Sequence, residues 1–198
     1  MDVNNTRAAR AESTRKALCR KARRVFAERG YAEASTDEIV RRAGVTKGAL
    51  YHHFENKQEL YRAVVEEMER ELVSRIVAAA SAHSDPWDRL RAMCGAYLDA
   101  CLESDFARIL VLEAPAVLGW RLWCQIGSEY EIAAFAAALR EAVGGSPEPP
   151  AEAQVLLGAL NTAARVIATA PDPAAARTQV EDTIDRLLAG LRAPARLG

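Results

Sequence analysis

The 198-residue sequence predicts an all-α protein of about nine helices. Three observations predict it. Apolar residues recur at three- and four-residue intervals along most of the chain, no stretch alternates as a half-buried strand would, and helix-capping residues punctuate the periodic runs.

Leu18, Ala22, Val25, Phe26 and Arg29 follow helical spacing, with Lys16, Arg20, Arg23, Arg24 and Ala27 on the opposite, solvated side, and Gly30 suits the position just past the helix end. Ser35-Thr-Asp-Glu38 reads as a capping box in which hydroxyl and carboxylate satisfy free amides reciprocally. It opens a short helix with Ile39, Val40 and Ala43 inward, and Arg41 and Arg42 complement the dipole in its last turn. Gly44 permits a sharp turn that Val45 plugs. Thr46 then caps a third helix to about His53, and Asn56, with Glu59 three residues on, caps a fourth from Lys57 to about Ala80. Asp85-Pro86 starts a helix to about Leu102. Ser104-Asp105 starts another, whose run Ile109-Leu-Val-Leu112 is expected to be interrupted at Pro115, and a longer helix should follow from about Leu118 to Val143. Residues 144–150 (GGSPEPP) read as a loop, and Pro171-Asp-Pro173 separates two final helices over about 151–169 and 173–192.

Half of the residues are apolar and 27% charged, as in a soluble globular protein. The net charge of -1 conceals a split: residues 1–60 carry a balance of +5 and residues 61–198 one of -6. Such asymmetry points the N-terminal third toward a polyanion. The first residues lack the apolar core of a secretory signal, and the uncharged run from Ala153 to Ala164 is too short to span a membrane. Cys19, Cys94, Cys101 and Cys124 show no paired spacing and read as reduced core thiols of a cytoplasmic protein. Neither a nucleophile elbow nor a phosphate loop is present, no paired carboxylates mark a pocket, and an enzyme or a cofactor is not expected.

Three short helices with a glycine turn between the second and third describe a helix-turn-helix module. In the third, Leu50 faces inward, with Ala49 marginal, leaving the remainder free to enter a DNA major groove. Gly48 and Ala49 allow close approach to base edges, while Thr46, Lys47, Tyr51 and His52 reach phosphates at the margins. Lys57 opposes the dipole of its own helix; either a phosphate offsets that cost or the lysine is simply solvated. His52 and His53, as helical neighbours about 100° apart with no third ligand nearby, do not suit a metal; His53 and Phe54 should turn back into the domain.

These residues carry a resemblance. Ala22, Val25-Phe-Ala-Glu-Arg-Gly-Tyr31, Ser35, Ile39, Ala43-Gly-Val-Thr-Lys-Gly-Ala-Leu-Tyr-His-His-Phe54, Lys57 and Glu59-Leu60 resemble the DNA-binding domain of the tetracycline-repressor (TetR) family, and Lys21 departs from its usual small apolar residue. The resemblance implies DNA contact from Thr46, Lys47, Gly48, Ala49, Tyr51, His52 and Lys57. It implies an all-helical homodimer in which residues 1–56 read an operator and residues 57–198 bind a small-molecule effector and dimerise through the last two helices. Ligand binding would then move the fourth helix and spread the reading heads. Repression is the expected direction of control.

Two apolar stripes, Leu156, Leu157, Leu160, Ala164, Ile167 and Ala168, and Val180, Ile184, Leu187, Leu188 and Leu191, either pack within the chain or form an intermolecular four-helix bundle; the resemblance favours the bundle. Candidates for an effector cavity are Met93, Tyr97, Cys101, Leu110, Glu113, Trp120, Trp123, Cys124 and Tyr130, a set that suits an apolar or aromatic molecule or else simply fills the core. Glu113 would anchor a cationic ligand or pair with Arg108 or Arg121. Arg165, which interrupts an apolar helix, would anchor an anionic ligand or form an ion pair at the interface, and the interface is the preferred reading.

Overall fold

Nine helices make up the described residues, 3–144 and 151–192, of the computed structural model. The first three form a head: α1 (Val3–Glu33), α2 (Thr36–Ala43) and α3 (Lys47–His53). The remainder comprises α4 (Lys57–Ala80), α5 (Pro86–Ala100), α6 (residues 104–118), α7 (residues 120–143), α8 (Ala151–Thr169) and α9 (Pro173–Arg192). The predicted loop at 145–150 lies outside the described residues.

Local chemistry sets most of the boundaries. Thr46 Oγ1 accepts the Ala49 amide, Asn56 Oδ1 that of Glu59, and Asp85 Oδ1 those of Trp87 and Asp88, so each cap satisfies donors a helix start leaves free. The box at Ser35 is only half made. Its hydroxyl accepts the Glu38 amide at 3.2 Å, but the Glu38 carboxylate turns outward to Arg42, 2.6 Å away, because an ionised donor outcompetes a neutral amide. Gly30 breaks α1 with φ +78°, and Gly44 ends α2 in the left-handed region.

Pro115 does not interrupt its helix. The backbone widens to a π-helical turn over Ala107–Glu113, which takes up the hydrogen bond that proline cannot donate, and the chain breaks instead at Gly119, φ +83°. A second π-turn, Ser128–Ile132, lies within α7.

α1 packs across α4 and the π-turn of α6, α5 lies against α4, α7 and α9, and α8 pairs with α9. One continuous apolar core runs through the molecule. At the junction of head and body, Tyr61 meets Phe26 and Tyr31 edge-on, and its buried hydroxyl donates to Ile109 O at 2.8 Å. Arg108 of α6 donates to Ala27 O and Glu28 O, capping the end of α1. Cys19, Cys94 and Cys101 are buried free thiols, and burial pushes them up to about 11, 12 and 12.

The C-terminal stripes turn inward. Leu156, Leu157, Leu160, Ala164, Ile167, Ile184 and Leu188 are buried within this chain, whereas Leu187 stays exposed. The large apolar groups left outside on α8 and α9 are Val155 and Val166, from neither predicted stripe, together with Leu187, since one face of each helix is already used against α5, α6 and α7.

Candidate nucleic-acid interface and cavity

α3 is held from behind by one residue. Leu50 is fully buried, and its carbonyl accepts the Phe54 amide that closes the helix. Phe54 is buried beneath the Arg15 guanidinium, 5.4 Å from its ring, and His53 is half-buried, its imidazole held below the ordinary range by burial with His52 adding to it. Lys47, Gly48, Tyr51 and His52 face outward, as does Thr46, while Ala49 is half-buried. Lys47 Nζ lies 2.8 Å from the Asp37 carboxylate in an exposed pair, which a phosphate can displace at little cost.

Lys57 departs from the expectation of a phosphate partner. Its ammonium points back under the head and donates to the carbonyls of Tyr31, Ala32 and Ala34 at 2.8, 3.2 and 3.1 Å, 4.4 Å from the Tyr31 ring centroid. The break at Gly30 leaves those carbonyls without helical donors, and the lysine supplies them, which also offsets its unfavourable position on the dipole.

A cavity of about 600 Å³ opens in the C-terminal body between α4, α5, α6, α7 and α8. Five of the expected residues line it: Tyr97, Leu110, Trp120, Trp123 and Cys124. Trp120 and Trp123 pack with centroids 5.0 Å apart, and Trp123 Nε1 donates to Leu110 O. Tyr97 donates to Asn161 Oδ1 at 2.7 Å. Four expected residues stand outside the lining. Met93 and Cys101 are spent in the core, Tyr130 packs half-buried against it, and Glu113 is engaged with the head. Its carboxylate accepts the Tyr31 amide at 2.9 Å and lies 3.7 Å from Arg108 Nε. A Cβ at position 30 would fall 2.6 Å from Glu113 Oε1, so this carboxylate fits only against glycine. Arg165 is exposed on α8 and also belongs to the cavity lining.

The spacing of carboxylates along the sequence showed no pair, yet tertiary packing makes one. Glu69 of α4 and Glu131 of the α7 π-turn both lie in the cavity wall, 5% and 3% exposed. Among the described residues no donor reaches Glu69 Oε2. Burial lifts Glu69 from 4.5 to about 7, and burial with the charge of Glu69 lifts Glu131 well above its ordinary range. The folded chain therefore retains protons that the unfolded chain gives up. Stability should be greatest below about pH 4.5 as far as these groups are concerned, and their contribution declines as pH rises toward about 7. Glu69→Gln is expected to flatten that decline, read from urea midpoints across this window; an unchanged slope would refute it.

Comparisons with known proteins agree with this geometry. Residues 18–64 match the family model described as bacterial regulatory proteins, tetR family, and residues 87–191 match the tetracyclin repressor-like C-terminal domain. The Tn10 TetC protein of Escherichia coli is 32% identical over 130 residues, 66% of each chain. The transcriptional activator FasR of Mycolicibacterium smegmatis is 47% identical over 75 residues, 38% of this chain and 34% of its own. The chain thus spans just under two thirds of the first relative and about a third of the second. A solved TetR-family regulator from Pectobacterium atrosepticum aligns with TM-score 0.79 and 37% identity over 95% of this chain and 98% of its own. With both halves matched by regulators rather than enzymes, the chain belongs to the TetR family of bacterial transcriptional regulators.

Proposed function

We propose that two copies of this chain bind a pseudo-palindromic operator, each laying α3 in one major groove, and that a small molecule in the cavity releases them. The chain is then a cytoplasmic repressor, with residues 1–56 reading DNA and residues 57–198 holding the effector and the partner copy. The outward face of α3 carries this reading: Leu50 holds the helix while Lys47, Gly48, Tyr51 and His52 stay in solvent. The basic balance of residues 1–60 supports it, as does the absence, among the described residues, of any helix long and apolar enough to cross a membrane. Support for the dimer comes from Val155 and Leu187, exposed by 72% and 48%, which line a shallow groove with Ala159 and Leu191, and from Val166, 48% exposed on α8.

Selection from random duplex DNA tests the reading. Enrichment of an inverted repeat with half-sites about one helical turn apart, or slightly more, is expected, with affinity falling steeply as salt rises. Enrichment of single half-sites, or of nothing, overturns it.

A further inference from the structure

The cavity described above contains more charge than its apolar walls need. Glu69 and Glu131 reach it from different helices, both are almost wholly buried, and neither forms an ion pair among the described residues. Glu69 Oε2 has no donor among the described residues. The cation in the lining, Arg165, is solvent-exposed on α8 and contacts neither carboxyl. A buried carboxyl pair is costly to ionise wherever no compensating charge arrives. Glu131 reaches the pair from a π-turn, an irregularity that costs helix geometry and recurs where a side chain is re-aimed for function. The wall also carries four aromatic rings, Trp120, Trp123, Phe106 and Tyr97, among aliphatic side chains and the polar Gln154, Asn161 and Thr162.

We propose that the effector is an organic cation, an ammonium or similar group on a flat apolar body, whose charged end seats between Glu69 and Glu131 while its body lies against Trp120 and Trp123. This rests on the reading of the cavity as the effector site and names the chemistry it selects. An ammonium donates to the oxygen that lacks a donor and neutralises the pair, and its flanks gain from the aromatic faces. A neutral molecule of the same shape leaves both carboxyls unpaired in a drier site, and an anion adds a third negative group.

Calorimetric titration of the full chain with naphthylethylammonium, naphthylethanol and naphthylacetate, in the absence of DNA, tests this. The ammonium should bind about tenfold or more tightly than either of the others. In a Glu69→Gln, Glu131→Gln double variant that preference should shrink to about threefold or less. If that variant does not fold, the ranking on the unmodified chain decides. Equal or tighter binding of the alcohol or the carboxylate overturns the proposal. So does no binding of the ammonium up to about 1 mM, or an unchanged preference in a folded double variant. Because no DNA is present, failure here leaves the operator reading standing, and failure of the duplex selection leaves this ranking intact.

Discussion

Replacing Lys57 by methionine is expected to lower the stability of the protein by about 2–3 kcal/mol, less than three charged hydrogen bonds in full because the site is partly open to water. The side-chain stem is kept, so the loss isolates the ammonium that serves Tyr31 O, Ala32 O and Ala34 O. Chemical denaturation of the variant measures it directly. The phosphate reading predicts the opposite pattern: unchanged stability and weaker DNA binding. Both parents of the junction are involved, since Tyr31 also gives its amide to Glu113. The end of α1 is therefore held by a cation from α4 and by an anion and a cation from α6.

Removing Lys47 and Tyr51 together, as Lys47→Ala with Tyr51→Ala, should weaken binding to the selected operator by about a hundredfold, and to unrelated duplexes in proportion. Both side chains stand in solvent on α3, Tyr51 at 47% exposure, so the melting temperature should hardly move. Gel-shift titration beside a thermal melt separates the two effects. Binding that survives the double change would remove α3 as the reading helix.

α6 places the head and the cavity on opposite sides of one short helix. Leu110, Val111 and Pro115 line the cavity, while Ile109 O receives Tyr61 and Arg108 and Glu113 hold the end of α1. The π-turn that carries these residues spaces them for both tasks, because a widened turn rotates successive side chains away from ordinary helical positions. A molecule lodged against Leu110 therefore bears on the same segment that grips the head.

How much of this was legible in advance depended on how far each interaction reaches along the chain. The caps at Ser35, Thr46, Asn56 and Asp85, the turn at Gly44 and the single inward residue of α3 were all readable from the sequence, because each rests on hydrogen bonds or periodicities spanning only a few residues. The TetR-like module, built from those local signals, was readable for the same reason. Pro115 misled because a proline's cost depends on whether the helix before it can widen, and that is decided by packing against α1 and α8. Lys57 and Glu113 found partners far away in sequence, at a helix end that only the folded chain brings near. The same distance hid Glu69 and Glu131: alone, each is an ordinary acidic residue on a helix, and only the meeting of α4 with α7 removes water from both. By itself the sequence determined most of the helices, their caps and which face of α3 is left outward. Tertiary structure alone decided which charges are buried together, since desolvation is a property of the packed neighbourhood and no residue carries it in its own name.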